Sequence, residues 1–109
     1  MANMIMGDVA QIALGQGGCV FTDIDGAITP PTGKVFIGIT MLADTTFDSS
    51  GGLVAENSDM YANTEAAATG GGAGGDQIDV SNTFPKGVTI YGRWTSINMG
   101  AGMILAYLG

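Results

Sequence analysis

The sequence contains no histidine and one cysteine, Cys19, and these shortages exclude common catalytic and metal-binding arrangements. Ser-His and Cys-His pairs need an imidazole as the base. One thiol without a histidine cannot complete a zinc site or form an intrachain disulfide. We therefore predict no enzyme activity, no cofactor and no bound metal, and we interpret Cys19 as a small buried hydrophobic residue.

Charged residues are scarce and mostly acidic. They form 12% of the chain, with 10 Asp and Glu against 3 Lys and Arg, and the formal net charge is −7. We expect neither nucleic acid nor an anionic membrane as a partner, because phosphate binding needs a basic surface. Since few charges separate the apolar patches of the surface, the composition favours either a β-rich chain with many turns or a chain whose outer face is covered by a partner.

Long hydrophobic runs are missing as well. No window approaches the length of about 18 apolar residues that indicates a membrane-spanning helix. The apolar start of the chain is interrupted by Gly7 and Asp8, and no basic segment precedes it. We therefore expect no secretion signal, no membrane span and synthesis in the cytosol.

Glycine, by contrast, is abundant, with 19 residues in a chain of 109, a length that suits one domain. Short β-prone runs alternate with turn signals, and about six to eight strands can be counted. The pattern predicts an all-β fold, a small antiparallel β-sandwich or barrel. Residues 1–18 are interpreted as an extended N-terminal arm and residues 19–109 as a single β domain with a Gly-rich loop at 69–76. Residues 57–76 are expected to be the least structured part.

The first half of the domain contains two predicted chain reversals. Asp25-Gly26 lies between β-prone flanks, which is typical of a type I′ hairpin turn. The prolines and glycine of residues 30–34 predict a second reversal. In residues 35–42 apolar side chains occupy both faces, as in a central strand, and strict alternation places one set together: Val35, Ile37, Ile39 and Met41.

The strongest strand signal lies in the C-terminal block, residues 84–109, FPKGVTIYGRWTSINMGAGMILAYLG. Turn-like residues 98–102 separate VTIYGRW from MILAYL, so we predict two antiparallel strands. Trp94 is most simply a core anchor, with an exposed binding position as the alternative. Arg93 lies on the opposite face. Because the chain has 10 Asp and Glu side chains, we predict that the Arg93 guanidinium forms an ion pair, either within the subunit or with an acidic neighbour.

The arm and the C-terminal block supply candidate contact residues. Residues 1–18 are too apolar for a disordered tail, and we prefer an extended arm or edge strand to a helix over residues 8–14. The arm is expected to dock on its own domain or on a neighbouring subunit. The candidate interface residues are Met4, Ile5, Val9, Ile12, Tyr91 and Arg93.

A paired-carboxylate site is the one catalytic or cation-binding arrangement that the composition leaves open. Asp23 and Asp25 lie two residues apart and would project from one face of a strand. The following residues, 27–30, offer only Thr29 as a further side-chain oxygen ligand, so an EF-hand loop is not formed. We favour turn chemistry for this pair.

Residues 84–109 resemble the ends of small virion proteins of marine tailed bacteriophages. Those proteins close with an Ile-Tyr-Gly-Arg-Trp-Thr-like strand, a short Gly/Ser-containing turn and an apolar strand ending in Tyr-Leu/Ile-Gly. The resemblance covers about a quarter of the chain. It implies a capsid decoration or cement protein on the exterior of the virion, which binds the major capsid protein and bridges neighbouring capsomers. Self-association, with a trimer as one arrangement, would bury further apolar surface.

Two other functions remain open from the sequence. One is a carbohydrate- or receptor-binding β-module of a tail or fibre, in which an exposed Trp94 and the tyrosines form the binding platform. The other is a hydrolase that uses Asp23 and Asp25.

Overall fold

The structure is a computed structural model that describes residues 16–65 and 74–109. Four candidate interface residues, Met4, Ile5, Val9 and Ile12, lie outside the described residues, and so do most of the arm and residues 69–73 of the Gly-rich loop. The predictions for the arm therefore stay predictions. Within the described ranges, no helix has the length and hydropathy of a membrane span.

The described residues form a 7-stranded antiparallel sheet, which confirms the all-β prediction. The strands are β1 (Cys19–Thr22), β2 (Ala27–Ile28), β3 (Phe36–Met41), β4 (Thr46–Phe47), β5 (Leu53–Ala55), β6 (Thr89–Ala101) and β7 (Ile104–Leu108). The hydrogen-bonded order is β1-β7-β3-β6-β2, and β4 and β5 also pair with β6.

The long strand β6 organises the sheet, because it has partners on both of its edges. Trp94 pairs with Phe36 of β3 on one edge and with Ala55 of β5 on the other. Further along, Ile97 pairs with β2 and β5, and β4 pairs with the last residues of the strand. One strand therefore joins four others.

The sheet curls so strongly that the two ends of β6 come together. The Met41 N–H donates to the Val88 carbonyl at 2.9 Å, and the next N–H, from Leu42, donates to the Met103 carbonyl at 2.8 Å. A straight strand of this length would separate its ends by about 40 Å. The β6 strand must therefore bend around the core, which gives the small barrel- or sandwich-like shape.

The prediction of an antiparallel C-terminal strand pair is wrong. Strands β6 and β7 do not pair with each other; they lie on opposite sides of β3, and each runs antiparallel to it. They are therefore parallel to each other. The bend of β6 around the core brings its end close to the start of β7, so that a short connection joins the two strands.

The predicted reversals in the first half are also corrected. Strand β1 pairs with β7 and β2 pairs with β6, so Asp25-Gly26 does not close a hairpin, and neither residue has the positive φ of a type I′ turn. Residues 30–34 do contain a turn, in which the Lys34 N–H donates to the Pro31 carbonyl at 3.0 Å. However, β2 and β3 run in the same direction along one edge of β6. The segment between β2 and β3 therefore leaves this edge of β6 and returns to it in the same direction, so it does not reverse the chain.

The prediction that residues 35–42 form a central strand is confirmed, but its assignment of faces is corrected by a β-bulge. The register shifts between Phe36 and Gly38, so Phe36 is buried on the same side as Ile39 and Met41. An extra residue in a strand reverses the alternation beyond it. Ile37, which alternation placed on one face with Ile39 and Met41, is only partly buried and lies at the bulge.

The core lies inside the curl of the sheet, and Trp94 is its largest side chain. Trp94 has no exposed surface, which confirms the core-anchor prediction. Its indole N–H donates to the Ala62 carbonyl at 2.8 Å, which pairs the polar atom of the ring. The other buried apolar residues are Phe36, Ile39, Met41, Phe47, Leu53, Ile97, Met99, Ile104, Ala106 and Leu108.

Residues 57–65 are more ordered than the sequence predicted. Asn63 is fully buried, and its amide donates to the carbonyls of Ser58 and Tyr61 at 3.0 and 2.6 Å. Thr64 continues the pairing at the edge of β5, because its N–H donates to the Leu53 carbonyl at 3.0 Å. Side-chain hydrogen bonds thus hold this segment in place.

Candidate binding face

The outward side of strands β1, β7, β3 and β6 forms a continuous surface that we call the outer face. Alternation along each strand sends one set of side chains into the core and the other set outward. In β7, for example, Ile104, Ala106 and Leu108 are buried, and the residues between them point outward. The outer face consists of Cys19, Phe21, Gly38, Thr40, Thr89, Tyr91, Arg93, Leu105 and Tyr107.

Two tyrosines meet over a glycine at the centre of this face. The register places Gly38 directly between Tyr91 of β6 and Tyr107 of β7. A Cβ at Gly38 would lie 3.4 Å from the Tyr107 ring and 3.6 Å from the Tyr91 ring. Both rings therefore lean over the glycine. Tyr91 nevertheless keeps 62% of its surface exposed.

Hydroxyl groups bind one of the two tyrosines, Tyr107. The Thr40 Oγ1 lies 2.8 Å from the Thr89 Oγ1 and 3.1 Å from the Tyr107 hydroxyl. Cross-strand threonine pairs and such hydrogen bonds stabilise neighbouring strands of a sheet. Thr40, Thr89 and Tyr107 are therefore held to one another within the subunit.

The outer face carries one charged group, and that group is neutralised within the subunit. The Arg93 Nε donates to the Glu56 carboxylate at 2.6 Å, in an ion pair whose side chains are 44% and 45% exposed. The hydrogen bond to Glu56, and then its negative charge, raises the pKa of Arg93. The structure thus confirms the intrasubunit ion pair. The face as a whole presents aromatic, aliphatic and hydroxyl groups.

The rim of the face at β1 is exposed. Phe21 keeps 54% of its surface accessible, although a phenyl ring gains most from burial. Cys19 is also exposed, so its interpretation as a buried residue is wrong. The reason is the position of β1 at the edge of the sheet that the described residues form, where β7 is its one neighbouring strand.

The structure brings two of the sequence-derived candidates, Tyr91 and Arg93, onto this one face. Sequence reasoning missed Phe21 and Leu105 as members of it, and considered Tyr107 only as one of the tyrosines of the alternative binding platform. The signal for Leu105 and Tyr107 was present, because they alternate with buried residues in the last strand. Their proximity to β1 and β6 depends on the order of the strands in the sheet, and no local sequence pattern predicts that order.

The other candidate sites form no comparable arrangement. Asp23 and Asp25 are exposed in the bend between β1 and β2, rather than on one face of a strand. Among residues 16–65 and 74–109, no group of three or more His, Cys, Asp or Glu residues lies close enough to hold a metal ion. The buried position of Trp94 also contradicts an exposed tryptophan platform.

No protein-family model, no curated protein and no solved structure matches the chain.

Proposed function

We propose that the protein is a non-enzymatic virion structural protein of a tailed bacteriophage, a capsid decoration protein that binds the exterior of the shell and bridges neighbouring capsomers. The observation that carries the binding role is the outer face. It combines exposed Phe21 and Tyr91 with no unpaired charge, on a chain whose formal net charge is −7.

The composition of the outer face favours a protein partner. The cores of protein interfaces are enriched in Tyr, Phe and Arg and depleted of Lys, Asp and Glu. Rigid aromatic side chains lose little conformational entropy on binding, and the Thr40 hydrogen bonds already hold Tyr107 in place. The acidic charge elsewhere would keep the outward side of a bound subunit soluble.

The assignment to a phage particle rests on the resemblance of residues 84–109. That block forms β6 and β7, and it supplies Tyr91, Leu105 and Tyr107 to the outer face. The residues that suggest the family are therefore also residues of the candidate binding face. The major capsid protein is the proposed partner.

The experiment is an add-back assay with particles of the phage that encodes the chain. Particles assembled without the protein are mixed with purified protein, and the bound protein and the resistance of the particles to heat are measured. We expect the wild-type protein to bind and to raise heat resistance. Particles that are equally stable with and without bound protein would contradict the decoration role.

A matched pair of variants connects the assay to the outer face. Phe21 and Val80 are both 54% exposed, and Val80 lies outside the face. Combining Phe21→Ser with Tyr91→Ser should weaken particle binding at least about tenfold, as expected when interface aromatic anchors are lost. Val80→Ser should leave it unchanged. Equal binding by both variants would exclude the outer face as the contact surface.

A second candidate is a carbohydrate- or receptor-binding module of a tail or fibre that uses the same face. The exposed ring of Tyr91 beside the Thr40 and Thr89 hydroxyls is the observation that favours it, because sugars bind to aromatic rings bordered by hydrogen-bonding groups. The test is binding of the protein to host envelope polysaccharide. If the wild-type protein binds the polysaccharide but not capsids, and Tyr91→Ser abolishes that binding, the carbohydrate-binding role replaces the decoration role.

A further inference from the structure

The connection between β1 and β2 contains the dipeptide Asp25-Gly26, which does not serve as a hairpin turn. Residues 23–26 belong to no strand, and Asp25 is exposed. Among the described residues, no group forms a hydrogen bond or an ion pair with the Asp25 carboxylate. This side chain can therefore rotate toward its own backbone.

Gly26 presents an unobstructed backbone nitrogen to that side chain. Within residues 16–65 and 74–109, its N–H donates to no acceptor. A Cβ at this position would meet no atom within 4 Å, and the φ of Gly26 is not positive. Because glycine has no Cβ, other atoms can approach its backbone closely. The Asp25 carboxyl carbon and the Gly26 nitrogen can thus come into contact.

The other aspartates in the described ranges lack this combination. After each of them except Asp48, the next N–H in the chain already donates a hydrogen bond of 3.4 Å or less. These donors are the N–H groups of Ile24, Thr45, Met60, Gln77 and Val80. Asp48 is followed by Ser49, whose Cβ lies beside the nitrogen. Asp25 is therefore the one described aspartate with both an unpaired carboxylate and an unhindered nitrogen after it.

We propose that Asp25-Gly26 is a modification site, at which the aspartate converts to isoaspartate through a succinimide. The Gly26 nitrogen bonds to the Asp25 Cγ, and the carboxyl hydroxyl leaves with the amide proton as water, which closes a five-membered ring. Water then adds to one of the two ring carbonyls. Addition at Cγ restores aspartate. Addition at the main-chain carbon of Asp25 breaks its original bond to the Gly26 nitrogen and leaves the backbone running through Cγ.

The product differs from the original chain in its backbone and not in its charge. Isoaspartate adds one carbon to the main chain and carries its carboxylate directly on Cα. Because residues 23–26 pair with no strand among the described residues, the connection accommodates this carbon and the sheet stays intact. The new carboxylate is the group to which isoaspartyl carboxyl methyltransferases transfer a methyl group from S-adenosylmethionine. The modified chain is therefore a substrate for that class of enzyme.

The first test is incubation of the folded full chain in mildly acidic buffer, where the carboxylic acid form supplies the better leaving group. Methyl incorporation by a purified isoaspartyl methyltransferase measures the amount of isoaspartate, and fragmentation by electron transfer in a mass spectrometer locates it. We expect isoaspartate at Asp25 before any other described aspartate. Its rate of formation should be similar in the folded chain and in the chain unfolded in urea.

The second test uses three variants of the dipeptide. Gly26→Ala should slow the reaction several-fold, because its Cβ crowds the nitrogen, without lowering the melting temperature. Asp25→Glu keeps the charge and should abolish the reaction at this position, because ring closure would need six members. Asp25→Asn forms the same ring with ammonia as the leaving group, so it should deamidate faster than the wild type isomerises.

Four results would overturn the inference. They are isoaspartate that forms first at another described aspartate, equal rates in the wild type and Gly26→Ala, an unmodified Asp25 in the folded chain under conditions that modify the unfolded chain, and a folded Asp25→Asn variant that does not deamidate. None of these measurements uses capsids, so their outcome is independent of the proposed function.

Discussion

At the scale of single residues, Trp94 joins the core to the 57–65 segment. The ring is fully buried, and its N–H is paired with the Ala62 carbonyl. Its neighbour Arg93 points to the opposite side and is paired with Glu56. Both orientations were predictable, because the period of two in a strand is a local property. The partners Ala62 and Glu56 were not, because they lie far away in the sequence.

Replacing Trp94 with Phe should destabilise the protein by about 1–3 kcal/mol, since it removes core volume and leaves the Ala62 carbonyl without its donor. Urea unfolding followed by circular dichroism measures this. The control is Tyr91→Phe, which keeps the exposed ring and should change the stability by less than about 0.5 kcal/mol. Equal effects of the two substitutions would contradict the anchoring role.

The ion pair between Arg93 and Glu56 should contribute little to stability, because both side chains are nearly half exposed and solvent screens their attraction. We expect Glu56→Gln to leave the urea midpoint of unfolding within error of the wild type. A double-mutant cycle with Arg93→Met isolates the pair. A coupling as strong as that of a buried ion pair would contradict this expectation and mean that the pair is more shielded than its exposure indicates.

At the scale of elements, the return of the chain from β6 to β7 depends on Gly102. Its φ of +122° is unfavourable for other residues, and a Cβ there would lie 2.3 Å from the Thr45 Oγ1 and 2.7 Å from the Thr45 Cα. Thr45 is fully buried, so it has little room to move. This contact brings the end of β6 close to the start of β4.

Gly102→Ala should therefore destabilise the protein by more than about 2 kcal/mol, from backbone strain together with the clash. Gly26→Ala is the matched control, because its φ is not positive and a Cβ there meets no atom within 4 Å. That substitution should be neutral, or stabilising by up to about 1 kcal/mol. Thermal unfolding of the two variants measures the difference, and similar melting temperatures would contradict this account of the closure.

The positions of most strands followed from the sequence, but their pairing did not. β3 and β7 lie where alternation predicted strands, but β6 continues through residues 98–101, which were interpreted as part of a turn. Both predicted hairpins fail, because Asp25-Gly26 and residues 98–102 were interpreted as turns between neighbouring strands. Turn residues describe a local change of direction and contain no information about which distant strand becomes the partner. The bulge in β3 likewise depends on its two neighbours.

At the scale of the whole molecule, the charges and the exposed aromatic residues are distributed unequally. Among the residues that define the outer face, Arg93 is the one with a formal charge, and it is paired with Glu56. From the low charge content, the sequence predicted a surface that needs a partner, but only the order β1-β7-β3-β6 brings Phe21, Tyr91 and Tyr107 onto one face. The order of the strands thus places residues that are far apart in the sequence side by side on one candidate binding face.

The most direct test of the proposed function is a particle reconstruction of the phage with the protein bound. We predict copies on the capsid exterior, with Phe21 and Tyr91 of the outer face buried against the shell between neighbouring capsomers. A reconstruction in which the outer face points to solvent, or in which the protein is absent from the shell, would contradict the central claim.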